Sequence, residues 1–399
     1  MSPGLISRSP DLKRLRDEGY EVQVEKGYLL ISHVPYVNAQ KQVVYGTLIA
    51  TLDLSGDRTA KPGTHVALWA GDYPCDSKGS QLVNLVNEQN KNEKIRDGLV
   101  ATFSFSQKPR DEGYLDYYEK MTTYVRMLEG HACALDSRVT SRTFPVIVPD
   151  DEGSIFCYLD TASSRAGISA VNDKLMKGKI AIVGLGGTGA YVLDLVAKTP
   201  IEEIHLFDGD DLLQHNAFRS PGAPSIDDLA KKPKKVEWFA EIYSRMRRKI
   251  FPHAQFIDEK NVAELKQMDF VFLCIEGARK KIIVDYLIEN KIPFIDVGIG
   301  MYDENDTLGG NARVTTCTSA FHNHLAKRID FGEGEENEYS RNIQIADMNA
   351  LNAALAVIKW KKMRGFYFDL EHEHDTTYGL ITNLLVNGDI FDETKTDQT

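Results

Sequence analysis

Short runs of β-branched and aromatic residues alternate with turn residues over the first third of the chain. Gly, Asp, Asn and Pro separate the runs, which is the pattern of strands joined by tight connections. The clearest runs lie at 28–31, 43–49, 65–69 and 99–103. A helical spacing of apolar residues follows over 114–129. This part of the chain predicts a mixed α+β domain with a largely antiparallel sheet.

The pattern changes after an acidic, proline-containing stretch at 148–153. From there, continuous apolar runs alternate with helical spacings. The apolar runs lie at 180–183, 204–207, 270–275 and 294–297. The helical spacings lie at 191–198, 235–250, 279–289 and 347–363, the last with Leu351, Leu355 and Ile358 on its apolar stripe.

Such alternation predicts parallel strands joined by right-handed crossovers, with helices on both faces of an open sheet. We therefore predict a smaller α+β domain over residues 1–150 and a Rossmann-like α/β domain over residues 151–399. Ligands in this architecture bind beyond the carboxyl ends of the strands. The candidate site should therefore lie where the apolar runs end.

Composition excludes several classes of function. The 399 residues carry a formal net charge of −11, which argues against a general nucleic-acid binder because that function needs a basic surface. No stretch reaches the roughly 20 apolar residues of a membrane-spanning helix, and the N-terminus lacks the apolar core of a secretory signal. The five cysteines form no C-x-x-C pair, so we expect no structural zinc and no disulfide framework. We expect a reduced, cytoplasmic protein.

A glycine-rich turn follows the run at 180–183 and opens the next helix. Its sequence is Gly184-Leu185-Gly186-Gly187-Thr188-Gly189. Glycines let the backbone approach phosphates closely, and a helix N-terminus offers free N–H groups and a favourable dipole. Asp208, at the end of the run at 204–207, is placed to accept hydrogen bonds from ribose hydroxyls. Oxidoreductases use the same turn, so a nicotinamide dinucleotide and ATP both remain possible here.

The residues that follow distinguish these two ligands. Asp208-Gly209-Asp210 leads to Asn216-Ala217-Phe218-Arg219, and Lys235 opens the next predicted helix. In order and spacing this resembles the E1/ThiF/MoeB family of adenylating enzymes, whose signature after the glycine turn is D-x-D, then N-x-x-R, then a lysine. The resemblance covers about residues 160–370.

The resemblance implies a role for each matching residue. Asp208 would bind ribose, and Asp210 with Glu276 would bind Mg²⁺. Glu276 and Ser220 replace the family's aspartate and glutamine. The groups implied to hold the triphosphate of ATP are Asn216, Arg219, Lys235 and, reaching the phosphates of a partner subunit, Arg165.

These residue types suit the transfer of AMP to a carboxylate. A C-terminal carboxyl group has a pKa of about 3.3–3.7, so it is ionised near neutrality and needs no general base. The barrier lies in bringing an anion against a triphosphate, and cations with Mg²⁺ lower it. The resemblance implies that the acceptor is the C-terminal carboxylate of a ubiquitin-like protein.

In E1 enzymes the adenylate is usually passed to a cysteine as a thioester. Cys317 is the favoured candidate, because it ends a predicted strand that leads into a predicted crossover loop at about 317–342. Cys274 lies within a predicted buried strand and is expected to be inert. Cys75, in a predicted exposed turn, is a second candidate acceptor.

The resemblance also implies a homodimer, a ubiquitin-like partner and an E2-like partner, and residues 1–150 would recruit one of these proteins. Other interpretations stay open at this point. The protein could activate a sulfur carrier as MoeB and ThiF do, without a thioester. It could be a nucleotide-binding scaffold without turnover, or a nicotinamide oxidoreductase.

Overall fold

The computed structural model describes residues 3–109, 113–149, 153–331 and 343–391. The chain divides into two compact units. The N-terminal unit comprises Met1–Glu152 and Tyr158–Gly167, and the C-terminal unit comprises Gly153–Cys157 and Ile168–Thr399. Residues 158–167 thus belong to the N-terminal unit, beyond the boundary expected near residue 150.

The N-terminal unit combines one main sheet with a few helices. Its helices are α1 (Pro3–Arg8), α2 (Pro10–Asp17), α3 (Tyr117–Cys133) and α4 (Thr161–Arg165). Its strands are β1 (Glu21–Glu25), β2 (Tyr28–Val37), β3 (Val43–Thr51), β4 (Leu54–Ser55), β5 (Arg58–Thr59), β6 (Val66–Ala70), β7 (Val86–Arg96) and β8 (Leu99–Ser106). The main sheet has the order β1-β2-β3-β6-β8-β7 and is antiparallel throughout, while β4 and β5 pair separately.

Helix α3 covers one face of this sheet. Asp116 caps its start, with the side chain accepting from the backbone N–H of Glu119 at 2.7 Å. Met121, Val125 and Leu128 recur at helical spacing and are buried in one core with the sheet. The predicted helix at 114–129 is therefore present, with its start shifted to Tyr117 by the aspartate cap.

The C-terminal unit alternates strands and helices. Its helices are α5 (Ser169–Asn172), α6 (Gly187–Ala197), α7 (Gln214–Ala217), α8 (Ile226–Lys231), α9 (Lys235–Ser244), α10 (Arg279–Glu289), α11 (Leu325–Arg328) and α12 (Ala346–Met363), with 3-10 turns at Asp173–Leu175 and Val262–Gln267. Its strands are β9 (Lys179–Val183), β10 (Glu203–Phe207), β11 (Ile250–His253), β12 (Phe270–Leu273), β13 (Phe294–Glu304), β14 (Thr307–Cys317), β15 (Glu373–Gly379) and β16 (Leu384–Ile390).

These strands form one eight-stranded sheet in the order β11-β10-β9-β12-β13-β14-β15-β16. Strands β9 to β13 run parallel, and β14 to β16 continue the sheet antiparallel. Successive side chains of β9 point to opposite faces. Ile180 and Ile182 pack in the core that includes α6, α9 and α12, and Ala181 and Val183 pack in the core that includes α10. The predicted α/β class, with helices on both faces, is confirmed.

Strand order reverses beside β9. The chain goes from β9 outward through β10 to β11, and then returns to the other side of β9 for β12 and β13. At such a reversal the connections after neighbouring strands diverge to opposite faces and leave a crevice at the carboxyl edge. The ends of β9, β10 and β12 therefore define where a ligand site is expected.

Three features differ from the prediction. The helix expected over 235–250 ends at Ser244, and Lys249 adopts a φ of +59° immediately before β11. Strands β7, β15 and β16 were not predicted, because their polar or exposed residues lack a clear period-two pattern. The buried face of α12 carries Asn349 and Asn352, whereas Ile358 is exposed. Within the described ranges, no helix is both long enough and apolar enough to span a bilayer.

Candidate nucleotide site

A cavity of about 540 Å³ lies at the strand-order reversal of the C-terminal unit. Its walls come from the segments that follow β9, β10, β11 and β12, and from Gln344, two residues before α12. The lining residues include Gly184, Gly186, Asp208, Asp210, Arg219, Lys235, Phe256, Glu276, Arg279 and Gln344. Chemistry-bearing residues that are scattered in sequence thus share one concave surface.

The glycine turn is shaped by close packing of backbone against backbone. Gly184 has a φ of +90°, and a Cβ there would lie 2.5 Å from the carbonyl oxygen of Cys274. A Cβ on Gly189 would overlap the carbonyl oxygen of Gly184. At Gly186, by contrast, no atom of the described residues lies within 4 Å of the Cβ position. Gly184 and Gly189 therefore form the turn, and Gly186 leaves open space at the N-terminus of α6.

Asp208 joins the glycine turn to the segment after β10. Its carboxylate is buried and accepts hydrogen bonds from the backbone N–H groups of Leu185 at 2.7 Å and Asp210 at 2.8 Å. Carboxylate oxygens carry about four acceptor positions in total, so two remain for a ligand hydroxyl. The geometry suits the ribose contact expected of this residue.

Lys235 supplies a buried positive charge beside Asp208. Its Nζ lies 2.7 Å from Oδ2 of Asp210 and 3.7 Å from Oδ2 of Asp208. The lysine is only 5% exposed, whereas the side chain of Asp210 is 56% exposed. The lysine that opens α9 is thus in contact with both aspartates of the D-x-D motif, and it lines the cavity.

Arg219 and Asn216 leave buried polar atoms without partners among the described residues. The side-chain oxygen of Asn216 accepts from the backbone N–H of Leu213 at 2.9 Å, which fixes the turn before Arg219. Within the described ranges, the buried atoms Asn216 Nδ2, Arg219 Nε and Gln344 Oε1 make no hydrogen bond. Arg219 and Gln344 line the cavity, whereas the predicted phosphate ligand Asn216 is not among its lining residues. Buried polar groups are normally paired, so the Arg219 and Gln344 atoms indicate a polar ligand in the cavity. Arg219 Nε is a donor, as an anionic ligand requires.

A metal ion would find few protein ligands in this cavity. Glu276 follows β12 and lines the wall, next to Gly277 with its φ of +85°. Asp210 lines the same cavity. In the part of the chain that the structure describes, no group of three or more His, Cys, Asp or Glu side chains could hold a metal ion. The residues fit Mg²⁺ only in the form in which phosphate oxygens and water supply most of its ligands.

Sequence reasoning missed three further residues of the site. Phe256, in the turn after β11, packs on Gly209, and the guanidinium of Arg279 lies 4.6 Å from its ring centre. Asn349 on α12 contacts the glycine turn and the Arg219 segment. No motif marks Asn349, which shares the buried face of α12 with Asn352 and Lys359, and the predicted stripe of α12 included none of these three residues.

Arg165 lies at the end of α4 and belongs to the N-terminal unit. Its guanidinium lies 5.5 Å from the ring centre of Phe144 in the same unit. The phosphate-binding role implied for Arg165 stays a prediction.

Cys317 lies at the opposite ends of the strands from the cavity. It ends β14 and pairs with Phe294, the first residue of β13, whereas the cavity lies at the carboxyl ends of the parallel strands. Cys317 is 2% exposed, and burial raises the pKa of its thiol to about 12. The described conformation therefore holds a protonated, enclosed thiol. Of the expected crossover loop at 317–342, residues 332–342 lie outside the described residues.

The other two cysteines singled out by the sequence differ in exposure. Cys274 was predicted within a buried strand, but β12 ends at Leu273, and Cys274 is partly buried and lines the cavity. Burial raises the pKa of its thiol. Cys75 is 1% exposed, and burial raises its pKa as well. The prediction that Cys75 sits in an exposed turn is wrong, because the turn folds back on the sheet and Cys75 pairs with Val37 and Gln81.

Comparison with known proteins gives matches to both halves of the chain. The model of the ThiF family matches residues 146–360, and that of a domain of unknown function (DUF6791) matches residues 10–161. Two similar proteins are tRNA threonylcarbamoyladenosine dehydratases. The one from Escherichia coli (strain K12) is 30% identical over 129 residues, covering 30% of this chain and 45% of the relative. The one from Haemophilus influenzae is 27% identical over 134 residues, covering 31% and 49%. The chain thus spans about half the length of these relatives.

Solved structures give more distant matches. E. coli MccB with MccA-N7isoASN is 19% identical, with a TM-score of 0.46 and coverage of 59% of this chain and 71% of MccB. Selenomethionine-labelled PaaA is 18% identical, with a TM-score of 0.42 and coverage of 56% and 76%.

Proposed function

The chain belongs to the ThiF family, and from this premise we propose that it binds ATP in the cavity at the carboxyl edge of β9, β10 and β12 and transfers AMP to a carboxylate. The observation that carries the proposal is that two cationic side chains line the same cavity. Lys235 is buried, and Arg219 Nε has no acceptor among the described residues. Two cationic groups that line one open space favour an anionic ligand. The triphosphate of ATP meets that requirement.

The reaction follows from the charges in the cavity. An oxygen of the substrate carboxylate attacks the α-phosphorus, the bond from that phosphorus to the bridging oxygen of pyrophosphate breaks, and an acyl adenylate forms. The attacking group is already an anion, so no proton has to be removed. Arg219 and Lys235 stabilise the charge that builds up on the phosphate oxygens and on the departing pyrophosphate. Holding the substrate carboxylate and the triphosphate in line for attack lowers the barrier further.

Bound Mg²⁺ would neutralise charge on the phosphates and orient them. Asp210 and Glu276 are the residues of the cavity wall that would hold it, alongside phosphate oxygens and water. Asp210 now pairs with Lys235 at 2.7 Å. If the triphosphate replaces Asp210 as the ion-pair partner of Lys235, the carboxylate of Asp210 becomes available to Mg²⁺.

The acceptor we propose is the C-terminal carboxylate of a ubiquitin-like protein, and the arm formed by β13 to β16 supports this choice. Leu273, the last residue of β12, pairs with Asp296, and β13 continues beyond it to Glu304, about 26 Å at the rise of an extended strand. The arm projects past the edge that holds the cavity. Its projecting part exposes apolar side chains, namely Tyr302, Leu308, Leu384, Leu385 and Val386. An exposed apolar surface of this kind typically binds protein.

A tRNA nucleoside is the second candidate acceptor, because two similar proteins are named for one. The charge of this chain favours the protein acceptor. With 47 Lys and Arg against 58 Asp and Glu, the chain lacks the excess of basic residues that phosphate contacts need. Both acceptors present a carboxylate to the same phosphorus, so they differ in recognition and share the chemistry.

Assembly completes the proposal. Phe218 and Ile226, on either side of the Arg219 segment, are 78% and 86% exposed, which suits an interface between two copies of the chain. In that homodimer Arg165 would reach the phosphates of the other copy. The N-terminal unit would recruit the ubiquitin-like protein or an E2-like partner. A thioester would form on Cys317 only if the thiol becomes exposed in another conformation; without it, the protein would act as a sulfur-carrier adenylyltransferase does.

Pyrophosphate exchange tests the proposal. With ATP, Mg²⁺, labelled pyrophosphate and a ubiquitin-like protein encoded beside its gene, the protein should return label to ATP. A ubiquitin-like protein lacking its last residue should give no exchange. Lys235→Met should lower the rate by about 100-fold, because one charge-stabilising donor is worth roughly that factor.

Lys231→Met is the matched control, since Lys231 is exposed at the end of α8 and lines no part of the cavity. It should exchange at the unmodified rate. Exchange that persists in Lys235→Met would refute the assigned site. Exchange driven by tRNA and not by the ubiquitin-like protein would replace the acceptor and keep the chemistry.

A further inference from the structure

Asn349 is the point where three separate segments of the candidate site meet. It lies in the first turn of α12 and is 1% exposed. The hydroxyl of Thr188, in the glycine turn, donates to its Oδ1 at 2.9 Å. Its Nδ2 donates to the carbonyl oxygen of Arg219 at 3.3 Å. One side-chain amide therefore ties the start of α6, the Arg219 segment and α12 together.

The same amide explains one glycine of the turn. A Cβ on Gly187 would overlap both Nδ2 and Cγ of Asn349, so the amide packs directly on the backbone of that residue. Gly186, its neighbour, has open space at the Cβ position. The two adjacent positions thus require glycine for different steric reasons. Gly186 leaves room on the cavity side, and Gly187 leaves room for Asn349.

We propose that Asn349 is a positioning residue of the phosphate subsite, holding the glycine turn and Arg219 at the separation that a triphosphate bridges. This inference rests on the proposed function. The glycine turn offers N–H groups and Arg219 offers a guanidinium, and both act on the same phosphates. A buried amide that donates to one segment and accepts from the other fixes their distance through two hydrogen bonds. Neither bond involves the nucleoside end of the cavity at Asp208.

The location of Asn349 makes a selective prediction. Loss of the amide should loosen contacts to phosphates and leave contacts to base and ribose intact. A residue with a merely structural role would lower the affinity for every ligand of the cavity in step with stability. The ratio of ATP affinity to adenosine affinity therefore separates positioning from general support.

The test is equilibrium binding of ATP with Mg²⁺ and of adenosine to the full-length protein. Asn349→Asp keeps the size and the acceptor for Thr188, but places a carboxylate oxygen against the Arg219 carbonyl in place of a donor. Its ATP affinity should fall about tenfold or more, since a buried donor–acceptor pair becomes a repulsive contact. Its adenosine affinity should stay within twofold of the unmodified protein.

Asn352→Ala is the matched control on the same helix. Asn352 is fully buried and donates to the carbonyl oxygen of Gly298 at 3.1 Å, away from the glycine turn. This variant should lose stability in thermal unfolding, yet keep the ratio of ATP to adenosine affinity. Equal loss of that ratio in both variants would overturn the positioning role.

A pair of substitutions provides a second test of the inference. Gly187→Ala alone should weaken ATP binding, because its Cβ meets the Asn349 amide. In the double variant with Asn349→Ala the amide is gone, so the second change should add nothing to the loss caused by Asn349→Ala. Residues in direct contact show such non-additivity. Additive losses would show that Gly187 is not limited by Asn349 and would count against the inference.

The outcomes separate the two proposals. ATP binding by Asn349→Asp at the unmodified affinity overturns this inference and leaves the proposed function standing. Failure of the unmodified protein to bind ATP overturns the proposed function, and this inference with it.

Discussion

Lys235 is a buried lysine whose ammonium lies between two carboxylates of very different exposure. Asp208 is held by two backbone N–H groups, whereas Asp210 has a largely exposed side chain that is free to turn outward. A buried lysine without a partner is costly, so the pair with Asp210 stabilises the protein before a nucleotide arrives. Because the triphosphate offers the lysine an equivalent partner, exchange of Asp210 for ATP leaves the buried charge compensated throughout.

The thiols provide a test of the buried state at residue scale. Treatment of the folded protein with iodoacetamide at pH 8 should label Cys157, which is partly exposed, and leave Cys317 unlabelled. The thiolate is the reactive form, and burial raises the pKa of Cys317 to about 12, so this thiol stays protonated well above pH 8. Mass spectrometry of the peptides measures the labelling.

Labelling in urea is the control, because every cysteine should then react. Rapid labelling of Cys317 in the folded protein, or labelling that appears only with ATP and substrate, would contradict the enclosed state. The second result would also restore Cys317 as a nucleophile, by showing a conformation in which the thiol is open.

How far the sequence predicts the site depends on the kind of residue. Asp208, Asp210, Arg219 and Lys235 follow from motif order, because the carboxyl ends of parallel strands meet at one edge and bring consecutive motifs together. Asn349 could not be predicted, since an asparagine more than 100 positions away carries no signature until the helix packs on the turn. The position of Cys317 could not be predicted, because sequence alone does not give the strand register. The register places Cys317 beside the first residue of β13, at the opposite ends of the strands from the cavity.

At the scale of elements, the arm formed by β13 to β16 contains both strand segments that the sequence predicts and segments that it does not. The buried beginning of β13 was predicted from its continuous apolar run. The exposed extensions of β13 and β14 and the whole β15–β16 hairpin were not. Strand β15 is almost entirely polar although its first three residues are buried, and the apolar run of β16 covers only residues 384–386. The same exposure is what makes the arm a candidate docking surface.

The arm gives a prediction about substrate recognition. Leu384 and Val386 are two positions apart on β16 and therefore share a face, and both are more than half exposed. Changing both to Ser should raise the KM for the ubiquitin-like protein about tenfold, since loss of two buried apolar contacts costs on the order of 1–3 kcal/mol. The affinity for ATP should not change. Pyrophosphate exchange at varied substrate concentration measures both.

Phe368→Ser is the control for this experiment. Phe368 is 92% exposed but follows the end of α12, at the opposite end of that helix from the cavity. It should leave the KM unaltered. A KM unaffected by the β16 double substitution would remove the arm from substrate binding.

At the scale of the whole molecule, the question is whether one chain contains a complete site. Phe218 and Ile226, before and after Arg219 in sequence, are exposed apolar residues, and Arg165 belongs to the N-terminal unit, where its guanidinium lies over the ring of Phe144. A C2 dimer would cover the first and give the second a target, because each surface patch then meets the other copy. Subunit mixing can decide between a site completed in trans and one completed within a chain.

Arg165→Ala and Lys235→Met should each lower pyrophosphate exchange by about 100-fold when assayed alone. Mixed and allowed to exchange subunits, half of the dimers become heterodimers, each with one site that has both Lys235 and the other copy's Arg165. Activity should therefore return to about a quarter of the unmodified level for a symmetric dimer. An inactive mixture, with heterodimers verified by native mass spectrometry, would place Arg165 in its own chain's site or outside the reaction. An active Arg165→Ala protein would show that the phosphates need no second arginine.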